Sequence, residues 1–540
     1  MQQTIGRGSG MPTAAHLLLI ILLTAGVYAV SLGNGFVLDD QLIIVKNPQT
    51  LSLQSVPEVL LSPDIIKPYY RPLNRATYIL DYQLFGMNPA WYHAVNILVH
   101  LGSVLLLYTL CRRLFEDSGT ALAVALIFAV HPANSEAVNF VSARNTLLAA
   151  FFSLASMLAL LHSREKGKRW PLLAGFLFFC GLLCKETAFM LIGVVGLLLV
   201  TPVLPQTGFS RLPAREKAAL FVPFLSATVI YFFLRAYSLH GLIAAQPSEQ
   251  GLIARLSQNL TLIPQYLGLL IFPRDLTIYH VVNPKTGFFA FPGVIIAIWL
   301  AILTGVYLLV RSGNRAALFG LAWCVINYVP VSNIIPIPAT PVAERFVYLS
   351  AIGFFIAIGS FLSGLSSGRK WRTLFLPVGA TVIIALAVLT VQRNLDWKNE
   401  LTLFTSGVEN NPTSATAHYN LGTALRDQGD LTAAVREWQR TLQLDPTNSD
   451  ALIQIGTFTA IQGDLKKAEQ LYLAALRAPQ GIADPDKSMA HYNLGKIYEK
   501  QGLLQKALEQ YEMFLRLVPV QYEEYRPDAE QRLARLRRKD

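Results

Sequence analysis

The stretch HYNLGTALRDQGDLTAAVREWQRTLQLDP (418–446) decides how the end of the chain folds, because it returns twice. LIQIGTFTAIQGDLKKAEQLYLAALRAP (452–479) follows after a step of 34 residues. HYNLGKIYEKQGLLQKALEQYEMFLRLVP (491–519) follows after 39, with GIADPDK inserted. A Leu-Gly or Ile-Gly pair recurs at Leu421-Gly422, Ile455-Gly456 and Leu494-Gly495. Ala434, Ala468 and Ala507 fall where two helices cross closely, and Pro446, Pro479 and Pro519 end each second helix. Each copy reads as a helix hairpin that buries its apolar face only against its neighbours. The basic stretch 526–538 (RPDAEQRLARLRR) reads as the solvating cap.

That period and residue pattern are those of tetratricopeptide repeats. Outward from them the solvent changes. Over the 540 residues, 53% are hydrophobic and 15% charged, with a mean hydropathy of +0.41. A soluble chain carries about 25% charge, so much of this surface faces lipid. The apolar runs all precede residue 393: 14–33, 94–110, 119–131, 145–161, 171–184, 187–201, 217–234, 291–310, 316–330, 346–363 and 373–392. The expected fold is all-α: a polytopic membrane domain of about 11 spans (1–392), a connecting segment (393–410), and a tetratricopeptide α-solenoid with its capping helix (411–540). The segment 258–273 holds Pro264 and reads as interfacial or re-entrant. The first run reads as a retained anchor, with a cleaved signal peptide as the alternative. Cys111, Cys180, Cys184 and Cys324 lie in or beside apolar runs, which excludes a disulfide scaffold and a zinc module.

The net charge of +11 is an orientation signal. With the N-terminus cytoplasmic, the short loops 111–117, 162–170, 210–217, 311–315 and 366–372 carry fourteen basic residues on the inner side. Nucleic acid is therefore not an expected partner. Eleven crossings put the repeats outside, which in a bacterium is the periplasmic side of the inner membrane.

Chemistry-bearing residues collect in the outer loops. Asp39 and Asp40 follow the first run. Arg71 lies in YYRPLNR, His93 in WYHAVNILVH, and His131, Glu136 and Arg144 in HPANSEAVNFVSARN. Lys185 and Glu186 form the turn CKET; Glu344 and Arg345 close PVSNIIPIPATPVAERF. Charges near membrane depth usually face a cavity or a partner. A sugar donor carried on a lipid phosphate needs cations for the leaving phosphate, and Arg71, Arg144, Lys185 and Arg345 are candidates. A hydroxyl acceptor needs a carboxylate base, and Asp39 or Asp40 is the natural choice.

The motifs FVLDD, YYRPL, HAVN…H, HP..SEAV, CKE, P.SN…AER..YLS and RN.DW..E..LF, in that order, resemble the transmembrane and tetratricopeptide-repeat protein family. The resemblance runs from about residue 30 to the end of the chain. It implies a C-type membrane glycosyltransferase, expected to invert, that moves mannose or another hexose from a polyprenyl-phosphate carrier to protein Ser/Thr hydroxyls. The essential acid of such folds falls on Asp39-Asp40. The remaining candidates, Arg71, His93, His131, Glu136, Arg144, Lys185, Glu186, Glu344 and Arg345, would serve donor and substrate binding. The implied partners are the lipid carrier and an acceptor polypeptide held by the repeats. No bound cofactor and no metal ligand set is expected, and a need for a divalent ion stays open.

Plainer readings stand beside these. The aspartates could simply end a helix, the histidines pack, Glu136 pair with Arg144, Lys185-Glu186 neutralise itself, and Arg345 cap a span. Asp396, Trp397 and Glu400 read as docking the repeats. Two other functions remain: a transferase of larger lipid-linked glycans, and a non-catalytic scaffold.

Overall fold

The computed structural model describes residues 13–538 apart from 67, 116, 168, 203, 205–206, 242–250, 281–291, 335–341, 366–368 and 479–486. Among the described residues every regular element is a helix. The chain divides into two compact units: residues up to 399, less two short segments, and a second unit of 400–540 that also takes in Tyr279.

In the first unit each of the eleven apolar runs is helical. Six helices are long and apolar enough to cross a bilayer: Thr13–Gly33, Pro89–Leu114, Val141–Ser163, Ala214–Leu239, Gly293–Arg311 and Pro377–Asp396. Ser118–Ala129 and Pro132–Asn139 form a pair bent by 53°. Pro132 causes the break: the residue before a proline is pushed out of helical geometry. His131 is extended there, and its ring nitrogen accepts from the Ala133 amide at 3.3 Å, capping the next turn. The four shorter apolar helices are Arg169–Cys184, Glu186–Val200, Arg315–Val331 and Tyr348–Ser363.

Pro264 does not interrupt its segment, which is one helix from Leu252 to Ile271. Leu262, Tyr266, Leu269 and Leu270 are buried along one side, while Ile253, Leu256, Leu260 and Ile271 are exposed on the other. That packing offsets the backbone hydrogen bond a proline removes.

Small residues set the closest helix contact. Gly320 and Gly353 meet where Arg315–Tyr328 crosses Tyr348–Leu365; a Cβ on Gly353 would fall on the Cys324 amide nitrogen and the Gly320 carbonyl. Amides tie the chain ends of the unit together. Asn34 donates to the Asn139 side chain at 2.9 Å, Asn139 to the Asn394 side chain at 2.7 Å, and Asn394 to the Val27 carbonyl at 3.0 Å. Asp396 and Trp397 lie in this unit as well. Asp396 pairs with Arg393, and Trp397 is buried and stacked on Phe140.

The second unit is the repeat array. Ala415–Asp427 with Leu431–Leu444, Ser449–Ile461 with Leu465–Arg477, and Ser488–Lys500 with Leu504–Leu517 are the three hairpins. Gly422, Gly456 and Gly495 lie against the rings of Trp438, Tyr472 and Tyr511, which leave no room for a Cβ. Side chains of Ser414, Asp430, Asn448 and Asp464 cap the first four of these helices. Arg526–Arg537 closes the array, with Arg532 paired to both Glu499 and Asp528. Pro479 and the insertion 481–486 lie outside the described residues.

Gly353→Ala drives a methyl into backbone atoms that cannot yield, so it should cost about 1–3 kcal/mol or more and lower the melting temperature of the full chain in detergent. Gly359→Ala, whose new Cβ meets chiefly the Val124 side chain, should be milder. Equal losses would contradict this account of the crossing.

Candidate functional site

The two adjacent aspartates do different work. Asp40 is fully buried. One carboxylate oxygen accepts from the Ser142 amide at 2.7 Å and the Ser142 hydroxyl at 2.5 Å; the other accepts from the Val37 amide at 3.2 Å. Burial pushes its pKa up to about 7, against the pull of the Ser142 and Val37 hydrogen bonds and with a further push from Asp39.

Asp39 is exposed, and among the described residues its carboxylate accepts no hydrogen bond. The protein packed around its carboxylate still raises its pKa by desolvation, with the Arg345 guanidinium pulling the other way. The chain reaches it through Leu38, whose φ of 55° is a left-handed conformation that a leucine adopts only when its surroundings impose it. His93, fully buried, approaches the Gly35 carbonyl with Nε2 at 3.4 Å, beneath this loop.

Arg345 stands near Asp39, and further cations neighbour Arg345, the two arginines already matched with carboxylates. Arg71 makes a two-pronged bond to Glu186 at 3.1 and 2.7 Å, and its guanidinium lies 4.0 Å over the Tyr69 ring. Arg345 gives its backbone amide to Glu136 at 2.8 Å and its guanidinium to the other oxygen of that fully buried acid. Glu344, next to it, pairs with Arg393 at 3.1 Å. Lys185, buried between two helices, donates to Thr146 at 2.7 Å and feels Arg71, Glu186, Arg345 and Glu136. Burial and then Arg71 lower its pKa to about 7. Asp39, Arg71, Glu136, Lys185, Glu186 and Arg345 thus share one locality, drawn from five separate parts of the chain.

Two candidates are differently employed. Arg144 is fully enclosed: it pairs with Asp81 at 2.5 Å and donates to Asn96 at 2.7 Å, Thr77 at 3.1 Å and the Tyr92 carbonyl at 3.1 Å. It does not pair with Glu136, and an enclosed guanidinium with four partners has nothing left for a ligand. His131 spends both ring nitrogens, on the Leu270 carbonyl at 3.1 Å and on the Ala133 cap. These are packing roles, and the expectation of substrate contact for both residues is corrected accordingly. Among the described residues no group of three or more His, Cys, Asp or Glu is placed to hold a metal ion.

Sequence reasoning missed Ser142, which anchors Asp40, and Arg235, which joins the cationic group. Arg235 sits near the end of the Ala214–Leu239 helix and donates to the Pro68 carbonyl at 3.3 Å. A lone arginine in FFLRAYS reads as a headgroup anchor, so nothing local marks it.

The architecture defines the class: an integral membrane protein of packed helices joined to a tetratricopeptide array. A family model described as dolichyl-phosphate-mannose-protein mannosyltransferase matches residues 72–237, and tetratricopeptide-repeat models match 415–448 and 447–518. The chain is similar to a protein O-mannosyl-transferase of Caenorhabditis elegans, 29% identical over 469 residues, covering 82% of this chain and 64% of that protein. It is equally similar to the protein O-mannosyl-transferase TMTC1 of Homo sapiens, 29% identical over 515 residues, covering 82% of this chain and 56% of that protein. These matches bear out the resemblance to the transmembrane and tetratricopeptide-repeat family; the chain spans less than two thirds of the length of these relatives. Among solved structures, ArnT from Cupriavidus metallidurans bound to undecaprenyl phosphate aligns at 16% identity and a TM-score of 0.41, over 83% of this chain and 81% of that one.

The division between the aspartates is open to measurement. Folded Asp40 keeps its proton to about pH 7, whereas an unfolded aspartate loses it near 4. The folded chain binds more protons across that window, so stability should fall as pH rises from about 4 to about 7. Asp40→Asn should flatten that slope. Asp40→Ala should lower the melting temperature by roughly 2–5 °C, and Asp39→Ala should leave it nearly unchanged. Matching losses from the two alanine variants would contradict the division.

Proposed function

We propose that the chain is a membrane glycosyltransferase that moves a hexose, mannose by its resemblance, from a polyprenyl-phosphate carrier to Ser/Thr hydroxyls of proteins. The observation that carries this reading is the exposed Asp39 carboxylate, free of hydrogen bonds from the described residues and facing Arg345, which in turn neighbours Lys185 and, through it, Arg71. A base and a set of cations in one locality are what the reaction requires.

The acceptor oxygen attacks C1 of the sugar while Asp39 takes its proton. The bond from C1 to the phosphate oxygen breaks on the opposite face, its electron pair leaving with the polyprenyl phosphate, and configuration at C1 inverts. Arg71, Lys185 and Arg345 take up the charge gained by the phosphate through charge-assisted hydrogen bonds. Glu186 and Glu136 hold two of these cations in place until the donor arrives. Asp40 serves as the anchor that positions the loop, and His93 supports it from below. The lipid enters from the bilayer, and the repeat array offers a surface for the acceptor polypeptide, with both on the outer side of the membrane. Relatives whose printed name is protein O-mannosyl-transferase support the choice of reaction.

Transfer of radiolabelled sugar from a polyprenyl-phosphate donor to envelope proteins tests the reading. Asp39→Asn should lower the rate by about 10²–10⁴-fold with the fold intact. A variant that transfers like the wild type would remove Asp39 from the reaction, and extended glycans on the product would point to an oligosaccharide transferase.

Donor binding should also depend on pH. Lys185, with a pKa of about 7, gains its charge as pH falls, so affinity for the singly charged phosphodiester donor should rise about tenfold from pH 8 to pH 6. Lys185→Met should bind weakly and lose most of that dependence; an unchanged profile would exclude Lys185 as a phosphate ligand.

A further inference from the structure

One helix end carries two buried polar atoms without a hydrogen bond of regular geometry. Tyr231 is 1% exposed, and its hydroxyl has the Arg235 side chain as its polar neighbour but no hydrogen bond of regular geometry among the described residues. One turn later, on the same face, Arg235 buries a terminal guanidinium nitrogen, Nη1, that has none either. Its other terminal nitrogen makes only the 3.3 Å bond to the Pro68 carbonyl, and among the described residues Arg235 forms no ion pair.

The plain reading of an arginine at a span end is a snorkelling anchor, whose charged head turns out to headgroups and water. Here the terminal nitrogen is turned inward, away from solvent. Two donors buried against each other, with no acceptor between them beyond the phenol oxygen, leave donor capacity unused at a cost in free energy. Such costs persist where a ligand makes use of the groups.

The neighbourhood says what ligand fits. Tyr69 and Tyr231 each lie within electrostatic reach of Arg71, Glu186 and Arg235, so these groups share one neighbourhood. The carboxylate at hand, Glu186, is committed through both oxygens to Arg71. What remains is an N–H and an O–H donor with a positive charge, beside a second arginine held by a carboxylate that an anion could replace. A tetrahedral phosphate ester supplies acceptor oxygens in several directions and the negative charge to match.

We infer that Tyr231 and Arg235 are ligands of the lipid-linked phosphate, and that Glu186 occupies its place on Arg71 until the carrier binds. The inference rests on the glycosyltransferase reading and adds two residues and an exchange to it. Glu186 is then a resident competitor, and the carrier phosphate bridges Arg71 and Arg235 once Glu186 has been displaced.

The full chain in phosphatidylcholine nanodiscs tests this with three probes: polyprenyl phosphate at a few mole per cent, phosphatidylglycerol at the same fraction, and inorganic phosphate. Binding is followed by the rise in melting temperature and by direct titration. Polyprenyl phosphate should stabilise the wild type, and the other two probes should not. Without ligand, Arg235→Met should melt at or above the wild type, because it removes a buried unpaired charge. With polyprenyl phosphate its affinity should fall at least tenfold, and that of Tyr231→Phe at least threefold. Glu186→Gln should bind several-fold more tightly, since the competitor loses its charge. Should Arg235→Met fail to fold, Arg235→Lys, which keeps the charge and loses the planar fork, should show the same direction of change. Wild-type affinity in both Tyr231→Phe and the Arg235 variant would overturn the inference and leave the proposed function standing. Binding of phosphatidylglycerol through the same residues would also overturn it, making the site a general anionic-lipid contact. A wild type that binds no polyprenyl phosphate would overturn the proposed function itself.

Discussion

Ser142 gives both its amide and its hydroxyl to Asp40, and these two short hydrogen bonds fix where the acidic loop meets the helix bundle. The consequences run through Leu38 and Asp39. With Asp40 buried and the Val37 amide drawn onto its second oxygen, the chain turns through a positive φ at Leu38. That strained residue persists because the hydrogen bonds from Val37 and Ser142 to Asp40 hold the loop around it. Asp39 then projects the other way, towards Arg345, with its carboxylate unclaimed. Of the two adjacent acids, one is consumed by structure and the other keeps an unclaimed carboxylate, the group that the proposed reaction uses as its base.

The cations obey a related constraint. A buried charge without a partner is costly, so Arg71 rests on Glu186 and Arg345 on Glu136. These carboxylates keep the arginines satisfied and hold the guanidinium groups in place, which the proposed transfer would use. Preorganisation of this kind lowers the reorganisation required when charge develops on a leaving group. Arg235 is the exception, and its orphaned nitrogen marks where the balance is incomplete. The pairing of Arg144 with Asp81 belongs to the opposite case, a fully satisfied network that packs helices together.

Much of the fold was legible in sequence for physical reasons. A glycine facing Trp438, Tyr472 or Tyr511 recurs at a nearly fixed step, because each hairpin solves the same packing problem. Apolar runs announce membrane helices through composition alone. Pro264 lies inside a helix that Leu262, Tyr266 and Leu269 hold by tertiary packing, a contribution the proline alone does not reveal. The locality of the site was legible as charge beside span ends, but the division of labour within it was not. Asp39 and Asp40 are equivalent in sequence, and the residue that separates them, Ser142, is 102 positions away. Arg144 looked open for the same reason that Arg235 looked ordinary, since the partners of an arginine near a span end are set by distant helices.

The most direct measurement is a structure of the full chain in a lipid nanodisc with a non-transferable polyprenyl-phosphate sugar bound. The phosphate should lie on Arg71, Lys185 and Arg345, with C1 of the sugar between it and the Asp39 carboxylate, close enough for an acceptor hydroxyl to bridge them. A donor whose phosphate lies elsewhere in the bundle, or whose C1 faces Asp40 with Asp39 turned away, would contradict the account.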